Sequence, residues 1–453
     1  MADYKVKKVS EPINTVIEVP GSKSLTNRAL LISALSFKDC NSSLKNDKSK
    51  NVTNIRLSRV LFSDDSRVFI NALKRLGFDV SDDDAKQTVI MRDSADYVGE
   101  AQGSIYVGSA GTAARFLTAF VALSDKEYVI DASEQMKKRP MLPLFEALTE
   151  LGAEFSFAEK EGFLPVTAKG VFSDGSKLLT DTAVVDSDTS TQFLSALLMM
   201  SPVIANKTCS PFKIRVTGSR SEGSYVKMTL KIMEDFGVSV SYDPEANEFC
   251  TAPSAVYTAR DYEIEPDVSA ACYFYAAAAL TGGEVTVKGV HKDSCQGDIK
   301  FLDVLRQMGC TFEDTKEGIK LSGPEGGRLK GINVDMKDFS DQTMTLAAIA
   351  PFCDSPVEIT GIGHIRGQES DRISAIAAEL CRMGINIEEG ESSLKIYPGV
   401  PTPAEIETYN DHRIAMAFSL VGLRTDGIVI KDYECCKKTF EKYFEVFDTL
   451  THS

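Results

Sequence analysis

Along the chain, short stretches that alternate apolar and polar residues give way repeatedly to runs that are apolar on every side. Thr15-Val16-Ile17-Glu18-Val19 alternates and predicts a strand with one buried face. Phe193-Leu194-Ser195-Ala196-Leu197-Leu198 and Tyr273-Phe274-Tyr275-Ala276-Ala277-Ala278-Ala279 predict helices that are apolar all round and therefore buried. Two patterns organise these elements. In the first, a helix ends on a hydrophobic residue, a glycine and a strand. It occurs at Leu76-Gly77-Phe78, Leu151-Gly152-Ala153, Phe236-Gly237-Val238, Met308-Gly309-Cys310 and Met383-Gly384-Ile385, spaced by about 72 to 85 residues. Each glycine reads as the residue just past a helix end. In the second, a polar turn opens an Ala/Leu-rich helix. The turns are Gly21-Ser22-Lys23-Ser24, Ser109-Ala110-Gly111-Thr112, Asp188-Thr189-Ser190-Thr191-Gln192, Pro266-Asp267-Val268-Ser269, Ser340-Asp341-Gln342-Thr343 and Asn410-Asp411-His412-Arg413. The chain is thus read as α/β with six units, each containing a buried helix. Six such helices do not fit one small core, so three plus three is the expected division. Lys38 to Lys50 is polar and reads as a surface loop; Asp82-Asp83-Asp84 and Glu388-Glu389-Gly390-Glu391 read as solvated hairpin tips.

The polar turns carry the candidate chemistry. At Gly21-Ser22-Lys23-Ser24-Leu25-Thr26-Asn27-Arg28 a strand breaks and a helix starts, so free N–H groups and the positive end of the helix dipole face outward beside two cations. That geometry suits an anion. The phosphate-loop spacing fails, because Ile17 stands where its first glycine belongs and Ser22 precedes Lys23. Taken alone, this junction is explained equally well by a serine cap beside solvated cations. Six such junctions in series are harder to explain as caps.

Charge sharpens the reading. The 453-residue chain has a formal net charge of −15, which argues against non-specific nucleic-acid binding and against an anionic membrane surface. An anionic ligand must then be gripped by a local cluster of cations. Six stand in or beside the junction motifs: Lys23, Arg28, Arg139, Arg372, Arg413 and Lys438. Arginine matches carboxylate and phosphate bidentately, whereas lysine acts as a point charge. The acidic candidates are Asp341 and Glu369, each beside cations in sequence. The ten cysteines include no Cys-x-x-Cys pair and read as reduced core thiols, as at Cys272 and Cys381. The four histidines show no metal-ligand spacing. The N-terminus lacks an apolar targeting segment, and the longest apolar run, Phe193 to Ala205, is too short to span a bilayer; a cytoplasmic protein is expected.

Taken together, these motifs resemble the 5-enolpyruvylshikimate-3-phosphate synthase family, from about Gly21 to Phe440. The specific pieces are Gly21-Ser22-Lys23-Ser24 with Asn27-Arg28, Ala110-Gly111-Thr112-Ala113 with Arg115, Glu369-x-Asp371-Arg372, and Tyr409-Asn410-Asp411-His412-Arg413. Ser190-Thr191-Gln192-Phe193-Leu194, Gln296-Gly297-Asp298-Ile299 and Lys438-Thr439-Phe440 add support. The resemblance implies a two-domain inside-out α/β barrel of six βαβαββ units, three per domain, with buried helices pointing at an interdomain cleft. One domain would be 21–263, and the other 1–20 with 264–453. It implies transfer of the enolpyruvyl group of phosphoenolpyruvate to the 5-hydroxyl of shikimate 3-phosphate, by addition and elimination, with no metal or cofactor, in a monomer, and competition by glyphosate. Lys23, Gly111, Arg139, Gln192, Arg372, Arg413 and Lys438 resemble the phosphoenolpyruvate contacts. Lys23, Ser24, Arg28, Ser190, Thr191, Gln192, Tyr225, Asp341 and Gln368 resemble the shikimate 3-phosphate contacts. Asp341 would take the hydroxyl proton, and Glu369 with Lys23 would handle protonation at the methylene carbon.

This chain departs from the family pattern at several points. Gln368 stands where a lysine is usual, Glu222 where a serine is expected, His364 and Ser109 where asparagines are usual, and Phe116 where proline is common. Ser221 or Ser224 could stand in for the missing serine. Two rival readings follow from the same resemblance. A transferase acting on a UDP-sugar would need a reactive cysteine that residues 108–145 lack. An inactive relative that only binds a phosphorylated metabolite would not need all of Lys23, Asp341, Glu369, Arg372, Arg413 and Lys438.

Overall fold

The computed structural model describes residues 2–37, 54–92, 103–173, 177–218 and 220–450, so the expected surface loop from Lys38 to Lys50 lies outside the described residues. The chain forms two compact units, Lys23–Ile264 and Met1–Ser22 with Glu265–Ser453.

Each unit has three buried helices that touch one another, with three sheets around them. In Lys23–Ile264 the helices are Lys23–Ser36, Gly111–Ala122 and Thr191–Thr208. In the other unit they are Val268–Thr281, Thr343–Ile349 and His412–Gly422. Every residue of Gly111–Ala122 is buried, and so is every residue of His412–Gly422, as the all-apolar patterns require. The strands cover these helices with one face only. Asn54–Ser58 and Glu127–Asp131 both alternate exposed and buried positions along their length.

The sheets repeat one plan. Ser104–Tyr106 runs parallel to Glu127–Asp131, with the Gly111–Ala122 helix as the crossover. A hairpin, Glu154–Phe157 with Val166–Lys169, then extends the sheet antiparallel. Thr182–Asp186 with Phe212–Thr217, and Asn333–Asp335 with Val357–Thr360, do the same. Two strands pair away from the helix they lead into, each within its own compact unit. Asn14–Ile17 leads into the Lys23 helix but pairs with Glu284–Lys288. Tyr262–Glu263 leads into the Val268 helix but pairs with Asn54–Ser58. Where the chain passes, Ser22 N–H donates to Glu265 O and Asp267 N–H to Pro20 O, both at 2.8 Å.

The five glycines of the helix–glycine–strand pattern all have positive φ, from 77° at Gly384 to 110° at Gly152, directly after a helix end. Only glycine enters that region without a Cβ penalty. No sixth copy follows because the last sheet has three strands, Tyr4–Lys5 supplying the edge beside Ile428–Ile430. Two smaller expectations are corrected. The strand read over Thr15–Val19 is Asn14–Ile17, ending before Val19. Cys381 is exposed, lying on the outer face of the Arg372–Arg382 helix. The two acidic stretches lie at exposed hairpin ends, as expected, and carry surface ion pairs: Asp82 with Lys74, Asp84 with Arg67, and Glu389 with Arg366.

Candidate active site

In the Glu265–Ser453 unit the predicted residues meet around Arg372, the first residue of the Arg372–Arg382 helix. Its guanidinium is 1% exposed and all five N–H groups are taken. Nε donates to Asp411 Oδ2 at 2.8 Å and Nη2 to Asp411 Oδ1 at 3.3 Å. Nη2 also donates to Glu369 Oε2 at 2.9 Å, and Nη1 to Asp341 Oδ1 at 3.1 Å and to Gln368 Oε1. Asp341 is shared, its Oδ2 accepting from Arg413 Nη2 at 2.7 Å. Glu369 is shared too, its Oε1 lying 3.5 Å from Lys438 Nζ. Burial pulls the Arg372 pKa down, but the charges of Asp411, Glu369 and Asp341 outweigh it and raise it overall.

Three cations thus interleave with three carboxylates: Asp341 and Glu369, which the sequence places beside cations, and a third, Asp411. A guanidinium this deeply buried is stable only with its charge matched. Asp411 completes the match, and sequence reasoning had left it as a motif letter. It is fully buried, caps the His412–Gly422 helix by accepting from Arg413 N–H at 3.0 Å, and accepts from Ser370 Oγ at 3.0 Å. A second carboxylate missed is Asp298. It accepts from Ser269 Oγ and from Gln342 Nε2, the latter at 2.9 Å. Burial, then the Asp341 charge, push its pKa up to about 6 against the pull of Arg413 and these hydrogen bonds. His364 replaces the expected asparagine with a ring nitrogen, Nε2, 2.8 Å from Ser340 Oγ, so it braces the residue before Asp341.

In the Lys23–Ile264 unit, Lys23 opens its helix with Nζ 3.4 Å from Asp65 Oδ2. Asp65 is 3% exposed in the first turn of the Asp64–Arg75 helix, and sequence reasoning missed it. Arg28 is 1% exposed. Its Nη1 donates to Ser24 O at 2.9 Å and Nε to Thr229 Oγ1 at 2.8 Å. Nη2 lies 3.3 Å from both Ser195 Oγ and Tyr225 O. Arg28 Cζ lies 5.3 Å from the Phe116 ring centroid, which gives that unexpected phenylalanine a cation–π role. Arg28 thereby ties its own helix to three others, Gly111–Ala122, Thr191–Thr208 and Ser224–Asp235.

Gly111 starts its helix after Ala110, which supplies no side-chain cap. A Cβ on Gly111 would lie 2.7 Å from Arg139 Nη1 and 2.8 Å from Arg115 Nη1. Two guanidinium groups therefore converge on an open helix start, a strong anion-binding arrangement. Arg115 had been noted only as part of a motif. Ser190 caps the Thr191–Thr208 helix by accepting from Gln192 N–H at 3.3 Å. Thr191 is buried beside it, and the Gln192 Oε1 atom is buried without a hydrogen bond among the described residues. A Cβ on Gly223 would lie 3.7 Å from Thr191 Cγ2, so the Ser224–Asp235 helix, with Tyr225 in its first turn, starts beside the Thr191 helix. Glu222 is exposed and Ser221 is bonded to Tyr242 OH at 3.1 Å, which leaves Ser224 as the serine at that helix start.

Comparison with known proteins identifies the family. Residues 7–447 match the family model for EPSP synthase (3-phosphoshikimate 1-carboxyvinyltransferase). A 3-phosphoshikimate 1-carboxyvinyltransferase from Nostoc punctiforme is 42% identical over 447 residues, covering 99% of both chains. A 3-phosphoshikimate 1-carboxyvinyltransferase 2 from Halalkalibacterium halodurans is 38% identical, covering 98% of this chain and 93% of that one. Among solved structures, EPSP synthase from Acinetobacter baumannii superposes with a TM-score of 0.78 at 21% identity, covering 99% and 98% of the two chains. The enolpyruvyl transferase NikO from Streptomyces tendae gives 0.71 at 15% identity, covering 99% and 97%. At those identities the superpositions speak to fold. Among the described residues, no helix is long and apolar enough to cross a membrane. By sequence over nearly its whole length, and by fold, the chain belongs to the EPSP synthase family.

Proposed function

We propose that this chain transfers the enolpyruvyl group of phosphoenolpyruvate to the 5-hydroxyl of shikimate 3-phosphate and releases phosphate. The observation that carries the reading is the alternation of Arg372, Arg413 and Lys438 with Asp341, Glu369 and Asp411 in a chain of this family. Arg372 and Arg413 are assigned to the phosphoenolpyruvate carboxylate, with Lys23, Gly111, Arg139, Gln192 and Lys438 as its other contacts. Ser24, Arg28, Ser190, Thr191, Tyr225 and Gln368 are assigned to the shikimate 3-phosphate side.

Both oxygens of Asp341 are engaged by arginines. A substrate carboxylate competes for those same N–H groups, and each one it takes frees an Asp341 oxygen to act as a base. In the addition step, the 5-hydroxyl oxygen bonds to C2 of phosphoenolpyruvate and its proton passes to Asp341. C3 takes a proton from Glu369 or Lys23, giving a tetrahedral intermediate. In the elimination step, C3 returns a proton to the group that supplied it, the double bond re-forms, the C2–O bond to phosphate breaks, and the proton held by Asp341 leaves with the phosphate. Cations fixed in a desolvated setting stabilise the charge that develops on the carboxylate and on the leaving phosphate.

The test is phosphate release from the purified chain with phosphoenolpyruvate, alone and with shikimate 3-phosphate or a UDP-sugar. Release only with shikimate 3-phosphate is expected. Release with the UDP-sugar instead, or substrate binding without release, would overturn the reading.

A further inference from the structure

One fully buried carboxylate has no part in the chemistry above. Glu379 is 0% exposed on the Arg372–Arg382 helix, seven residues after Arg372 and so on the same face two turns along. Its Oε2 accepts from Arg382 Nε at 2.9 Å and from Glu407 N–H at 3.2 Å. Its Oε1 accepts from Arg382 Nη2 at 3.3 Å and from Tyr409 OH at 2.7 Å. Glu379 therefore fastens this helix to the segment that leads into Asp411 and Arg413.

That segment is strained. Tyr409 and Asn410 have φ of 55° and 53°, two consecutive side-chain-bearing residues in the left-handed region. Such residues persist only where their surroundings over-determine them, and they cluster at functional sites. The residue that follows is Asp411, which pairs with Arg372 and caps the helix carrying Arg413. A closed ring results: Arg372, its helix, Glu379, Tyr409, the left-handed pair, Asp411, and back to Arg372. The Arg372–Asp411 pair closes one side of this ring and the Glu379–Tyr409 bond the other.

We propose that Glu379 and Tyr409 form a positioning clamp that holds the left-handed turn and thereby sets Arg413 and Asp411 against Arg372. The clamp touches no substrate; it acts through the two arginines, and its effect on phosphoenolpyruvate rests on their assignment to that carboxylate. Tyr409 is 41% exposed, so Tyr409→Phe removes the hydroxyl while keeping the ring, with little reason to misfold.

Tyr409→Phe, Glu379→Gln and the double variant are compared with wild type by steady-state kinetics in both substrates and by thermal melting. The expected result is a KM for phosphoenolpyruvate raised on the order of tenfold, since small misplacements of positioning groups are costly. The KM for shikimate 3-phosphate should barely move, and the double variant should be no worse than the worse single, as for groups acting as one unit. If Glu379→Gln fails to fold, Tyr409→Phe alone carries the test. An unchanged KM for phosphoenolpyruvate in Tyr409→Phe, or equal rises in both constants with a lower melting point, would overturn the clamp. A wild type that is inert with both substrates would instead overturn the assigned reaction. The clamp is then decided by NMR of the Arg372 Nε–H, assigned by its loss in Arg372→Lys. Faster solvent exchange in Tyr409→Phe supports the clamp and an unaltered signal overturns it.

Discussion

Arg372→Met tests the central energetic argument. The substitution keeps an unbranched side chain but removes a guanidinium that is 1% exposed and engages three carboxylates. Two of these keep a cation: Asp341 keeps Arg413 at 2.7 Å and Glu369 keeps Lys438 at 3.5 Å. Asp411 does not fare as well. It is 0% exposed and is left with the Ser370 hydroxyl and the Arg413 N–H, both at 3.0 Å, and the His412 ring, whose Nδ1 lies 3.8 Å away and carries charge only when protonated. Leaving a buried charge without its partner costs about 3–5 kcal/mol. In a unit of about 200 residues, each kcal/mol lowers the midpoint by roughly 2–4 °C, so the loss should be about 6–20 °C. Differential scanning calorimetry measures it. The control is Arg372→Met combined with Asp411→Asn. Asparagine needs no counter-charge and retains an oxygen to cap the Arg413 helix, so the double variant should recover part of the loss. A single variant melting within about 2 °C of wild type, less than one kcal/mol is worth, would refute the reasoning. So would a double variant less stable than the single.

Asp341→Asn should keep substrate binding and lower turnover by roughly 10²-fold or more, as for loss of a positioned base; near-normal phosphate release at saturating substrate would remove Asp341 from the mechanism. Gly111→Ala should raise the KM for phosphoenolpyruvate with little change in melting point, because its methyl would lie 2.7 Å from the flexible end of Arg139; an unchanged KM would contradict the anion site at that helix start. Asp298→Asn should stabilise the fold in a pH-dependent way. The folded pKa of about 6 lies above the ordinary value near 3.9. Folding therefore takes up a proton between about pH 4 and 6, and the burial penalty grows as pH rises through that window and is complete above it. The melting-point gain of Asp298→Asn should accordingly be small near pH 4 and level off above about 6; an equal gain at every pH would contradict the assignment.

The elements were determined locally. All-apolar helices, alternating strands and the glycines at helix ends follow from neighbouring residues, so Gly77, Gly152, Gly237, Gly309 and Gly384 could be read as left-handed caps before any coordinates. Asp341, Glu369, Arg372 and Arg413 were legible as candidates because each stands at or shortly before a helix start, whereas Lys438 ends the short Tyr433–Lys438 helix. The tertiary structure alone decided which strand belongs to which sheet, as in the pairing of Asn14–Ile17 with Glu284–Lys288, because alternation predicts a strand but not its partner. It also decided the charge balance. The sequence placed Asp341 and Glu369 near cations, but only the fold has Arg372 meet Asp411 from 39 residues away and Arg413 meet Asp341 from 72. Asp65, Asp298 and Glu379 look like ordinary surface acids on the page and are buried in the fold. Desolvating a charge is costly enough that each buried ion must find a partner, but only the packing of distant helices determines which partner comes within reach.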